Sequence, residues 1–229
     1  MECTSVARRL ALIGTAALAW SVSTAAQAHP HMWIDARATF VFDDAGRLAA
    51  LTQRWLFDDM FSPYALQGLK KNKDGSYAAA TLKSMADDWV QALGDPVSHY
   101  FTTVTVDGKA AKYGAPRDAR VDWSNKSKRL SLTFTLPLAE PVALAGRSAK
   151  VDIFDPTYFV AYGFDEKDAV SLARAPAQCT SQYTKPRALD YETMQQLAAI
   201  PADPDPSALP EELFAITRGL THRIEIKCP

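Results

Sequence analysis

Between Met32 and Phe42 the segment "MWIDARATFVF" alternates closely enough to assign every side chain a face. Met32, Ile34, Ala36, Ala38, Phe40 and Phe42 share the apolar face, while His31, Trp33, Asp35, Arg37 and Thr39 share the polar one. Successive side chains of a strand point to opposite sides, so a period of two specifies a half-buried strand. After "DDAGR" a second extended run covers residues 48–57, and Gly46 supplies the positive φ that closes a short hairpin loop. If Phe42 pairs with Arg47, His31 faces Asp58 and Asp35 faces Arg54. If Gly46 closes a bulged three-residue loop, His31 faces Asp59 instead.

The rest of the chain follows the same reasoning. "MFSPYALQGLKK" and "ATLKSMADDWVQALG" carry apolar residues at helical spacing, and Gly94 and Pro96 end that block. Period two returns in "SHYFTTVTVDGK", "RDARVDWSN", "KRLSLTFTLPL" and "AKVDIFDPTYFVAYGF". A short helix is expected over residues 191–199, another over 211–218, and a last strand in "HRIEIKC". The Pro-rich "PADPDPSALP" between the two helices is a turn-rich connector. The expected fold is α+β, with mostly antiparallel sheet, an inserted helical block and short C-terminal helices.

The first residues follow a different logic. Arg8 and Arg9 precede an apolar run from Leu10 to Trp20, and small residues then lead to "AQA" at 26–28. This is the order of a secretory signal peptide, with cleavage expected after Ala28. The run is too short to span a bilayer. Cys3 lies ahead of it, away from the cleavage site, so it does not mark a lipid anchor. The paired arginines leave a twin-arginine route open. Residues 29–229 then form a single periplasmic domain of about 200 residues, enough for a well-packed core without a staple.

With 25 Lys and Arg against 26 Asp and Glu, the chain lacks the basic excess that nucleic acid would require. Two cysteines remain after cleavage, Cys179 and Cys228, and in an oxidising compartment an even pair reads as a disulfide. Closing a loop of about 50 residues is worth roughly 4 kcal/mol on the chain-entropy model. Thiolate metal ligation is the alternative, and reduced thiols are hard to keep outside the cytosol.

Cleavage after Ala28 would make His29 the first residue, with its amine and ring nitrogen able to chelate one ion. His31 is the nearest second imidazole, and nitrogen donors suit Cu(II), Ni(II) and Zn(II). The amino-terminal copper and nickel motif, which uses deprotonated amides, is disfavoured because Pro30 has no amide proton to lose. Asp58 or Asp59 would add a ligand or orient His31 from across the hairpin. Asp155 could finish a metal site from a strand end, or simply cap the Asp-Pro turn. His99, on a strand beside Tyr100, and His222, opening the last strand, are ligands only if the fold brings them to residue 29. The plain alternative is a loose chain end with no metal at all. Hydrolase, phosphate-loop and zinc-protease motifs are missing, and no catalytic residue is assigned.

The segments "AHPHMWIDARATFVFDDAGRLAALTQRWLFDDMFS", "YFTTVTVDGK" and "FDPTYFVAYGF" resemble a family of bacterial periplasmic proteins described as domain of unknown function 1007. The resemblance runs through essentially all of residues 29–229. Its most specific parts are the His-Pro-His start, Trp55, Phe57, Asp58 and Asp59, and the Asp-Pro-x-Tyr segment at Asp155 to Tyr158. Members tend to accompany permeases for nickel, cobalt or zinc, and are described as periplasmic components of ABC-type transport systems. The resemblance thus implies a metal-handling accessory partnered by an inner-membrane permease or ABC-type transporter. Two other readings stand beside it: a copper histidine-brace oxidoreductase, and an adaptor that docks on a permease without metal. The metal's identity and the oligomeric state are not encoded in these patterns.

Overall fold

A computed structural model describes residues 30–200 and 209–229. The expected signal segment, His29 and most of the Pro-rich connector lie outside the described residues. Eleven strands and four helices alternate irregularly along the described residues, as an α+β fold requires.

The first sheet is built on the expected hairpin, β1 (Met32–Phe42) with β2 (Arg47–Phe57). It continues through β6 (Arg129–Ala143) to β5 (Arg117–Ser124) on one side. On the other side β1 pairs in parallel with both β8 (Val160–Gly163) and β9 (Val170–Ala173), so the sheet is mixed. The second sheet runs β10 (Thr180–Thr184), β11 (His222–Cys228), β7 (Arg147–Ile153), β3 (Thr102–Val106) and β4 (Lys109–Ala110), all antiparallel.

Apolar faces of the two sheets meet in one cluster that includes Phe40, Phe42 and Phe134 from the first and Val151, Ile153 and Ile224 from the second. Each such side chain contributes roughly 1.5–3 kcal/mol when fully buried. One polar group crosses this core. Gln53 is fully buried, donates to Thr102 Oγ1 at 2.9 Å and accepts from Trp55 Nε1 at 2.9 Å. A buried amide is tolerated when its donor and acceptor are both engaged.

At the loop the hairpin takes the register expected for the longer loop, and beyond it departs from both expectations. Asp43 and Arg47 close the loop, with Gly46 at φ 70°, and Phe42 pairs with Leu48. A bulge then places one extra residue between Leu48 and Ala50, and from there Val41 faces Ala50 and Ile34 faces Phe57. Arg37, and not Asp35, lies opposite Arg54. Asp35 pairs instead with Arg129 of β6 at 2.7 Å. The bulge also moves Asp58 opposite Trp33, so neither Asp58 nor Asp59 takes the place opposite His31.

The segment "AKVDIFDPTYFVAYGF" turns at Asp155-Pro156, as the Asp-Pro pair implies, and its two strands lie in different sheets. Two further expectations need correction. His99 is not on a strand. Residues His99–Phe101 form a tight turn with φ of 41°, 55° and 49°, and β3 begins only at Thr102. The first helical run is shorter than its apolar spacing suggests, since α1 covers only Phe61–Ala65. The second becomes α2 (Ala79–Leu93), which sets Trp89 against Phe57 with ring centroids 5.3 Å apart.

The C-terminal helices α3 (Tyr191–Ala198) and α4 (Glu211–Arg218) share a smaller apolar cluster with Tyr158 and Ala161. Cys179 and Cys228 form the expected disulfide, tying the start of β10 to the end of β11. Among the described residues no helix is long and apolar enough to cross a membrane.

Candidate functional site

The beginning of β1 is fixed by its parallel neighbour. Both His31 N and Met32 N donate to the carbonyl of Phe159, at 2.9 and 3.1 Å, and the His31 ring stacks on the Phe159 ring at 4.9 Å between centroids. His31 itself is exposed, as its place on the polar face requires. A side chain two positions from the expected chain end is therefore both anchored and reachable by solvent.

The acids assigned to this end serve different purposes. The Asp58 carboxylate accepts from Trp33 N at 2.7 Å, Met60 N at 2.9 Å and Phe61 N at 2.6 Å, while Asp58 N donates to Trp33 O at 3.0 Å. One side chain thus closes the open end of the hairpin and caps α1, whose first N–H groups have no helical partner. Asp59 beside it is exposed. Asp155 is only 4% exposed; it accepts from Thr157 N, Thr157 Oγ1 and Val160 N at 2.8–2.9 Å. Burial pushes its carboxyl above the usual range, and the hydrogen bonds from Thr157 and Val160 pull back against that. The turn-cap reading of Asp155 is the one its surroundings match.

The same Asp155–Tyr162 segment walls a cavity of about 270 Å³ together with Trp33, Lys185, Arg187 and His222. His222 is 5% exposed. Its Nδ1 meets the Tyr183 hydroxyl at 2.7 Å, and the ring also hydrogen-bonds to the Tyr162 backbone. Burial dominates and brings its pKa down to about 4, while the Tyr162 bond and Asp165 oppose that shift. Tyr183 is pushed up to about 12 by burial and by Asp165. His222 is therefore a neutral wall residue at pH 7, bonded to the Tyr183 hydroxyl and the Tyr162 backbone. The two histidines bond to the backbone of the same segment at Phe159 and Tyr162.

A second cavity of about 280 Å³ lies under α2, lined almost wholly by carbon from Met32, Trp55, Phe57, Phe61, Trp89 and Phe101. His99, exposed, packs against Tyr113 with centroids 5.3 Å apart. Among the described residues no three His, Cys, Asp or Glu side chains converge as a metal-binding group. Sequence reasoning passed over Trp33, Lys185 and Arg187. One signal was present: Trp33 is an indole on the charged face of its strand, and it is 56% exposed.

Comparison with known proteins places the chain without assigning an activity. An uncharacterized protein of Haemophilus influenzae is 26% identical over 167 residues, spanning 72% of this chain and 77% of that relative. Among solved structures, the AChBP of Bulinus truncatus covers 87% of this chain and 86% of its own at 10% identity, but its TM-score of 0.34 carries no argument. Residues 14–228 match the model of the family described as Protein of unknown function (DUF1007), and the chain belongs to that family.

Proposed function

We propose that the protein is a periplasmic accessory of a transition-metal transport system, binding nickel, cobalt, zinc or copper at a mature His29-Pro30-His31 terminus. It passes the ion to, or accepts it from, an inner-membrane permease. The observation that carries this reading is the anchoring of His31: backbone bonds to Phe159 and ring stacking hold an exposed imidazole two residues from the expected chain end. Preorganising one ligand lowers the ordering cost that a loose terminus would add to binding. His29 contributes its amine and ring, and His31 the second imidazole. Of the acids assigned to this end, Asp59 is the exposed one, while Asp58 and Asp155 are committed to backbone donors.

A disulfide is compatible with an oxidising compartment, which supports export. The metal is cargo in this reading, and no chemical step is implied.

The test is calorimetric titration of Cu(II), Ni(II) and Zn(II) into protein beginning at His29 and into protein with one alanine added ahead of it. The native end should bind its preferred ion at least about tenfold more tightly, since the added residue separates the amine from the His29 ring. Equal affinities would sink the proposal.

A further inference from the structure

The cavity beside β1 has features that the metal reading does not use. Its volume of about 270 Å³ lies near the lower end of the roughly 300–1,000 Å³ typical of small-molecule sites, which suits a ligand of one or two rings. Most of the wall is carbon, including Trp33, Tyr158, Leu189 and Leu220. Trp33 offers a half-exposed indole face, the kind of surface on which a flat group stacks.

The charges facing this space are unequal in availability. Asp155 already accepts three hydrogen bonds, and His222 is neutral and bonded to Tyr183 and the Tyr162 backbone. Lys185 is paired with Asp165 at 2.9 Å. Arg187 makes no ion pair within 4 Å among the described residues, although its charge helps hold the Asp190 carboxyl down, and its Nε lies against Gly219, 3.3 Å from where a Cβ would stand there. That glycine leaves room for the guanidinium beside Leu220, at the cavity wall. The cavity-lining cation without a direct ion pair is therefore a planar fork of donors that matches a carboxylate.

We propose that this cavity binds a small, flat, apolar monocarboxylate, with the carboxylate on Arg187 and the apolar body against Trp33 and Tyr158. The site is independent of the metal-binding terminus.

The test uses the full chain from His29 in the presence of EDTA, with calorimetry and saturation-transfer NMR and three probes of one shape: cinnamate, cinnamamide and cinnamylamine. Cinnamate should bind with Kd below about 1 mM, the amide at least about tenfold more weakly, and the amine not measurably. Arg187→Gln should weaken cinnamate about tenfold, and Trp33→Ala should remove the NMR transfer to its ring, with both variants melting within about 2 °C of the parent. His31→Ala should leave cinnamate affinity unchanged. Equal binding of the three probes, no binding of cinnamate, or parental affinity in Arg187→Gln would overturn the site. Dependence on His31 would do so as well, because it would make the carboxylate a guest of the terminus.

Discussion

His31 and His222 bond to the same eight-residue stretch from opposite ends of the chain, yet their environments prepare them for opposite roles. His31 stacks on Phe159 and stays in contact with water. His222 sits in the cavity wall between Tyr183 and the Tyr162 backbone, and desolvation holds it neutral. A neutral imidazole is what a metal needs, but a ligand must also have a lone pair to spare and a path for the ion. Burial has thus made His222 structural, while His31 is anchored at the exposed start of β1.

The largest test of this contrast is to break the segment both histidines share. Asp155→Ala removes the acceptor of three donors inside the turn, and leaving those groups buried should cost about 4 kcal/mol in chemical denaturation. A loss below about 1 kcal/mol would mean that the turn holds without its carboxylate.

The next test probes His222 by acid. With a folded pKa near 4 against 6.5 in an open chain, His222 takes up a proton more readily when unfolded. Its contribution is intact above about pH 6.5 and declines as pH falls, reaching a loss of about 3 kcal/mol by pH 4. His222→Gln should flatten that part of the stability–pH curve. The smallest effect is on stability itself: His31→Ala should change unfolding free energy at pH 7.5 by less than about 0.5 kcal/mol, as an exposed substitution does.

Much of this arrangement could be read from the residues. Alternation in "MWIDARATFVF" put His31 and Trp33 on the outer face, and the Cys179–Cys228 pairing followed from compartment and parity. What alternation could not convey was the bulge near Ala49. The stretch "LAAL" is apolar at both parities, and Ala50 and Leu51 are both buried, so the slip of register leaves no polar residue on the wrong face to betray it. That slip turned Asp58 from a partner of His31 into the cap of α1. The cavity was hidden for another reason. Its walls come from β1, the 155–162 turn, the 185–189 loop and the start of β11, and no local period records that these four meet.

The most direct measurement of the central claim compares Cu(II) affinity in protein beginning at His29, its His31→Ala variant and its His222→Gln variant, each folded by circular dichroism at pH 7.5. The account predicts at least about a tenfold loss in His31→Ala and a change within about twofold in His222→Gln. Unchanged affinity in His31→Ala, or a larger loss in His222→Gln, would contradict it.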